Sequence, residues 1–166
     1  PETIERLREA LPEEANVYNP VDVIGDAPVE RFGEAIDIAL ADPNVDAVAV
    51  VTCPVAVMTF EDLAHAVVEK QAAAGKPVAT CLMGGDSTRA AQRVLDGAGI
   101  PSYFDPARAI DSLDALHRYA VTRRREYEAP DEFDVERDRA RATLRRAADR
   151  GETRLGVEAM DLLDAY

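Results

Sequence analysis

The run Val45-Asp46-Ala47-Val48-Ala49-Val50-Val51-Thr52-Cys53-Pro54, followed at once by a helix opening at Thr59, constrains this chain more than any other segment. β-branched residues and alanines with no charge after Asp46 predict a strand buried on both faces, as parallel strands lie under helices. In open α/β sheets ligands collect outside the carboxyl ends of such strands. There the next helix aims its free N–H groups and positive dipole end outward.

The same unit recurs, which turns one strand into an architecture. Val21-Asp22-Val23-Ile24 leads to Gly25-Asp26 and a helix over about Pro28 to Leu40, with proline early, where its missing N–H costs nothing. Pro77 to Met83 leads to Gly84-Gly85-Asp86-Ser87 and a helix to about Leu95. Ile100 to Phe104 leads to the N-cap and N1 pair Asp105-Pro106 and a long helix through Ala109, Ile110, Leu113, Leu116 and Ala120. Four strands alternating with helices predict right-handed crossovers. The fold class is α/β, a flavodoxin-like (Rossmann-like) parallel sheet with helices on both faces, followed by a C-terminal helical tail.

A helix from Thr3 to Leu11 precedes the first strand, and four strands are few for a self-sufficient doubly wound sheet, so at least one further strand is expected upstream. After Tyr127 the composition shifts to Glu128-Ala129-Pro130-Asp131-Glu132, a polar linker. Helices over about Val135 to Arg150 and Gly156 to Ala165 follow. Residues 1–127 therefore read as the sheet domain, and 128–166 as a linker and the start of another module.

Charge narrows the partners. A net charge of −13 opposes binding to phosphate backbones, so nucleic acid is not expected. No stretch is long enough to span a membrane or resembles a secretory signal, which predicts a soluble, cytoplasmic protein. Lysine occurs only at Lys70 and Lys76 among 19 basic residues, against 32 acidic ones. An acidic, lysine-poor surface suits a salt-rich cytoplasm, where screening removes self-repulsion; an acidic protein from a GC-rich genome would look similar. Cys53 and Cys81 lie in or just after expected strands, where a thiol acts as a small apolar side chain, and two cysteines without histidine nearby make no zinc site.

The chemistry is concentrated at strand ends. No G-x-G-x-x-G, Walker-type or G-x-S-x-G pattern occurs, and His65 and His117 both sit inside helices, away from strand ends. What remains is a rim of turns: Gly25-Asp26, Thr52-Cys53-Pro54 with Thr59, and Gly84-Gly85-Asp86-Ser87. Glycine lets backbone approach a ligand, while Thr59 and Asp86 or Ser87 are natural helix caps. Such a rim suits an anion. Every βα unit also needs turns and caps, so spacing alone leaves both roles open.

Six segments in order carry a family resemblance: Asn19 to Ala27 (NPVDVIGDA), Arg31-Phe32, Asp42 to Ala47 (DPNVDA), Lys76-Pro77-Val78 with Met83-Gly84-Gly85, Gly99 to Tyr103 (GIPSY), and Pro106 to Ile110 (PARAI). Together they resemble the nucleoside-diphosphate-forming acyl-CoA synthetases, a group that includes the ADP-forming acetyl-CoA synthetases and is related to succinyl-CoA synthetase. The resemblance implies a second flavodoxin-like domain without the glycine-rich strand and turn that open it. It also implies that Val157 to Tyr166 enters an ATP-grasp module.

By the same resemblance the whole enzyme converts acyl-CoA, phosphate and ADP or GDP to acid, CoA and ATP or GTP, with magnesium on the ATP-grasp module. Its phosphohistidine belongs to another domain, so no catalytic residue is expected here and the isolated chain is expected to be inactive. This domain would contribute the turn Thr52 to Met58 and the helix from Thr59, facing the phosphohistidine. In succinyl-CoA synthetase that turn is glycine-rich, whereas here it reads Thr52-Cys53-Pro54-Val55-Ala56-Val57-Met58. Expected partners are the CoA-binding, phosphohistidine and ATP-grasp domains or subunits. A receiver-like signalling or ligand-binding module on the same fold is the alternative. It lacks an acidic cluster with a phosphoacceptor aspartate at this strand end, and aromatics are only 5% of residues, too few for a flavin site.

Overall fold

The computed structural model describes residues 2–126, 129 and 131–166; Tyr127, at the expected end of the sheet domain, and Glu128 and Pro130 of the expected linker lie outside the described residues. The chain divides into two compact units, Pro1–Arg124 and Arg125–Tyr166.

The first unit holds a three-stranded parallel sheet in the order β1 (Val48–Thr52), β2 (Val78–Leu82), β3 (Ser102–Tyr103). Val48 lies opposite Val78, Val51 opposite Cys81, and Thr80 opposite Ser102. Helices α1 (Glu2–Ala10) and α2 (Val29–Ala41) precede the sheet; α3 (Phe60–Ala74), α4 (Arg89–Gly97) and α5 (Pro106–Arg124) follow the three strands in turn.

Strand alternation sorts the core into two faces. Val50, Val78 and Leu82 point to one face, where Ile36 and Leu40 of α2, Leu63 and Val67 of α3, and Leu95 of α4 close over them. Ala79 and Cys81 point to the other, against Ala109 and Leu113 of α5. Helices thus cover both faces, as the sequence predicts. A separate cluster of Leu7, Leu11, Val17, Ala35 and Ile38 packs α1 and the following loop on α2.

Two expectations are corrected. Val21–Ile24 is not a strand of the sheet: Asp22 forms an isolated antiparallel bridge with Asn16, its carboxylate accepts the Ile24 N–H at 2.9 Å, and Ile24 turns to a φ of 70°. Its valines instead pack on the α1–α2 cluster. Nor is β1 buried on both faces, since Val51 is 42% exposed whereas every residue of β2 is buried.

In the second unit α6 (Arg137–Asp149) and α7 (Glu158–Asp164) pack through Ala140, Thr143, Ala147 and Ala165. Arg139 reaches Glu136 at 3.1 Å and Asp164 at 2.9 Å, and Arg150 joins Glu152 and Glu158, both at 2.8 Å. Among the described residues no helix is long and apolar enough to cross a membrane.

Candidate functional site

Because each strand runs into its helix at the same end of a parallel sheet, the turns after β1, β2 and β3 share one rim. Two of the sequence-predicted groups meet there. The Met83 N–H donates to the Thr52 carbonyl at 3.0 Å, holding the end of β2 beside the end of β1. Phe60, the first residue of α3, packs so closely on Gly84 that a Cβ there would lie 2.2 Å from its ring, which is why only glycine fits. Gly25 and Asp26 are not joined to these turns by any described hydrogen bond or ion pair; Asp26 pairs with Arg31 of α2 at 2.7 Å, which also donates to the Val23 carbonyl.

The turn after β1 is short and ordered by its own backbone. Val55 and Met58 bridge across it, Met58 tucks under the core, and Val57 stays 55% exposed. Thr59 then caps α3 as expected, its hydroxyl oxygen accepting the Asp62 N–H at 3.1 Å. The Phe60 and Glu61 N–H groups have no partner among the described residues, since the first N–H groups of a helix find no acceptor within it. Glu61 and Asp62 place two exposed carboxylates in the same turn and offset part of the dipole.

Other side chains of the rim differ from expectation. Thr52 is 6% exposed and spends its hydroxyl on the Cys53 carbonyl at 3.1 Å. Cys53 is exposed and not part of the apolar core, because the chain leaves the sheet at Thr52; Pro54 is exposed as well. Cys81 is buried against α5, and burial, with a smaller contribution from the negative charge of Asp105, pushes its thiol pKa up, so it stays protonated. Neither Asp86 nor Ser87 caps an α-helix: Gly85–Thr88 forms a 3₁₀ turn, in which Ser87 donates to the Gly84 carbonyl at 2.7 Å and Asp86 pairs with Arg89 at 2.7 Å. Gly85 sits at a φ of 57°.

Sequence reasoning missed two cations on this rim. Arg89 opens α4, and Arg108 lies in the first turn of α5, where its guanidinium stacks 5.3 Å from the Phe104 ring. Neither helix carries an acid in its first turn. Arginine at the positive end of a helix runs against the dipole preference, and that is the signal that would have found them. The rim thus gathers the free N–H groups of α3 and two arginines, of which Arg89 is paired with Asp86, so the N–H groups and Arg108 are what can attract an anion there. A hollow of about 400 Å³ lined by Arg8, Pro12, Glu13, Asn16, Val17 and Tyr18 contains no rim residue. His65 and His117 are both exposed on helices.

Comparison with known proteins settles the family. The ligase-CoA domain model matches residues 1–125. The chain belongs to the ligase-CoA domain family of the NDP-forming acyl-CoA synthetases. An ADP-forming acetate–CoA ligase I of Archaeoglobus fulgidus is 39% identical over 166 residues, covering 99% of this chain and 23% of the relative. The alpha subunit of the ADP-forming acetate–CoA ligase II of Pyrococcus furiosus is 38% identical, covering 71% of this chain and 27% of that one. Among solved structures, the apo dinucleotide-forming acetyl-coenzyme A synthetase 1 of Candidatus Korarchaeum cryptofilum superposes with a TM-score of 0.68 at 33% identity, over 74% of this chain and 28% of the other. This ligase-CoA domain therefore spans about a quarter of the length of the relatives it matches. The carboxyl-end rim, with β1, β2 and the turns after them, lies wholly within the matched residues.

Proposed function

We propose that this ligase-CoA domain serves an NDP-forming acyl-CoA synthetase in which a phosphoryl group passes from an acyl phosphate to a histidine on another domain, and from there to ADP or GDP. The observation that carries this is the open end of α3: its first two N–H groups stand unpaired at the end of β1, beside the Gly84–Gly85 turn. A phosphoryl group carrying about two negative charges is stabilised by such donors and by the dipole end, without a lysine amine that would compete as a nucleophile. Arg108 adds positive charge on the same rim, while the charge of Arg89 is offset by Asp86. The same Korarchaeum enzyme is known in complex with phosphate and ADP, which supports an anion of this class.

On this reading the contributing residues are Cys53, Pro54 and Thr59, with Gly84, Gly85 and Asp86 beside them, while Thr52 acts through backbone placement because its hydroxyl is taken. On the same reading CoA, the nucleotide and magnesium are held by other domains of the enzyme. Residues 128–166 open the ATP-grasp module. In keeping with that, the Archaeoglobus relative aligns over 166 residues, while the alpha-subunit relatives of Pyrococcus align over 112 and 122. The enzyme is cytoplasmic, where its nucleotide and thioester substrates are found.

A carboxylate at Cys53 would set a negative charge where phosphoryl arrives. Cys53→Asp in the complete synthetase is expected to reduce histidine phosphorylation to near background, whereas His65→Ala and His117→Ala leave it intact. Normal phosphorylation in a folded Cys53→Asp enzyme removes this strand end from the chemistry.

The charge of −13 supports a halophilic setting for the same enzyme. Thermal melts are expected to rise steeply with potassium chloride through the first few hundred millimolar, as the Debye length falls below about 8 Å. A flat response would remove the halophile reading and leave the site untouched.

A further inference from the structure

We propose that Phe60 is a positioning residue for phosphoryl transfer: its ring, seated against the Gly84 backbone, fixes where the unpaired N–H groups at the start of α3 point. The role rests on the phosphoryl reading above and names the side chain that holds its donors in place. Phe60 is the first residue of α3, so its own N–H is one of those donors, and the ends of a helix are where it frays. No bond within the helix holds that amide. Its place is set from two sides instead. Thr59 accepts the Asp62 N–H on its hydroxyl oxygen and the Leu63 N–H on its carbonyl, and the Phe60 side chain is buried in the main core cluster, leaving the residue 8% exposed.

Gly84 shows how closely the ring is seated. At a φ of −135° it lies outside the left-handed region that calls for glycine, unlike Gly85 at 57°. The requirement at Gly84 is for space. A Cβ there would lie 2.2 Å from Phe60 Cε2 and 2.6 Å from Cζ; it would also lie 2.7 Å from Ser87 Oγ, which ends a short side chain and can swing aside. The ring therefore rests directly on the backbone of the turn after β2.

That contact closes a circuit. The Met83 N–H holds the end of β2 to the Thr52 carbonyl at 3.0 Å, β1 runs through the turn bridged by Val55 and Met58 into α3, and the ring returns from α3 to Gly84. The pieces of backbone that edge the rim are thereby locked to one another. Fixed donors stabilise a phosphoryl group without reorganising as it arrives, whereas donors on a fraying turn must first be ordered. Leu63 and Val67 seat the body of α3 on the sheet, and Phe60 seats its opening. Because ring and amide share one Cα, a displaced ring displaces the donor directly.

The test uses the complete synthetase and labelled ATP, with phosphohistidine as the readout. Phe60→Met fills the same space with a flexible chain. It is expected to keep the native melting temperature and the KM for ATP, while the maximal rate of histidine phosphorylation falls about tenfold because the donors are misplaced. Gly84→Ala pushes on the ring and should slow the step likewise. Phe60→Leu removes Cε2 and Cζ, the atoms on which the new Cβ would land, so the double variant Phe60→Leu with Gly84→Ala should recover to within about threefold of the native rate. A native rate in Phe60→Met overturns the proposal, and so does a double variant that regains melting temperature without regaining rate. Cys53→Asp separates the two claims. A native rate in Phe60→Met beside a blocked Cys53→Asp removes the positioning role alone, whereas native rates in both remove the phosphoryl reading as well.

Discussion

β1 and β2 are neighbours of equal length and similar sequence, VAVVT and VATCL, and lie in register over all five residues. β2 is buried throughout; β1 buries only Val50 and Thr52. The difference lies in what stands beside them. β2 has a strand on each side and helices on both faces, while β1 has one strand partner and one covered face. The same contrast reaches the cysteines, since Cys81 sits within β2 and Cys53 one residue beyond the end of β1. Apolar sequence states what a strand tolerates, and its neighbours determine what it gets.

The widest gap should appear in thiol chemistry. In the native chain a disulfide reagent is expected to consume Cys53 at once and Cys81 about a thousandfold more slowly, because Cys81 is enclosed and its raised pKa keeps it from forming thiolate. Two thiols reacting at one rate would erase the contrast. Next in size, Leu82→Ala on β2 should cost about 3 kcal/mol in urea unfolding, through lost burial and an unfilled cavity. Val51→Ala on β1 should cost less than about 1 kcal/mol, as partly exposed positions do. Equal costs would mean that Val51 is covered in solution.

The smallest expected effect lies where the two strands begin. Asp42, ahead of β1, accepts from the Thr3 hydroxyl at 2.6 Å and from the Asn44 N–H at 2.8 Å, and Lys76, ahead of β2, donates to the Asp42 carbonyl at 2.6 Å. The Thr3 hydrogen bond first, and the Asn44 backbone N–H next, hold the Asp42 carboxyl below its ordinary pKa. A carboxyl lowered by folding contributes stability that is present above its unfolded pKa and is lost as pH falls through the folded one. Melting temperature should therefore decline below about pH 4, and Asp42→Asn should flatten part of that decline. An unchanged acid slope in Asp42→Asn would show that these contacts are not formed in solution.

Much of the fold was legible. The runs at Val48–Thr52 and Val78–Leu82 announced strands by length and β-branching, Thr59 announced its helix by its hydroxyl and the acids after it, and Asp105 caps α5 through the Ala107 N–H at 2.8 Å. Val21–Ile24 misled because its valines are real core residues, but of the α1–α2 cluster, and apolar alternation does not say which core receives it. The rim was half legible. Its turns are local and their glycines marked them, but Arg89 and Arg108 reach the rim only because three helices open at the same end of one sheet.

The sequence by itself determined the βα alternation, the right-handed parallel sheet it entails, and the cap at Thr59, because propensity, capping and crossover handedness act over a few residues or one unit. Only the tertiary structure decided that Gly84 must yield to the Phe60 ring, that Thr52 turns its hydroxyl inward while Cys53 meets solvent, and that β1 rather than β2 stands at the edge. Each of these depends on which element arrives alongside, and residues distant along the chain meet only when long-range packing brings their surfaces together.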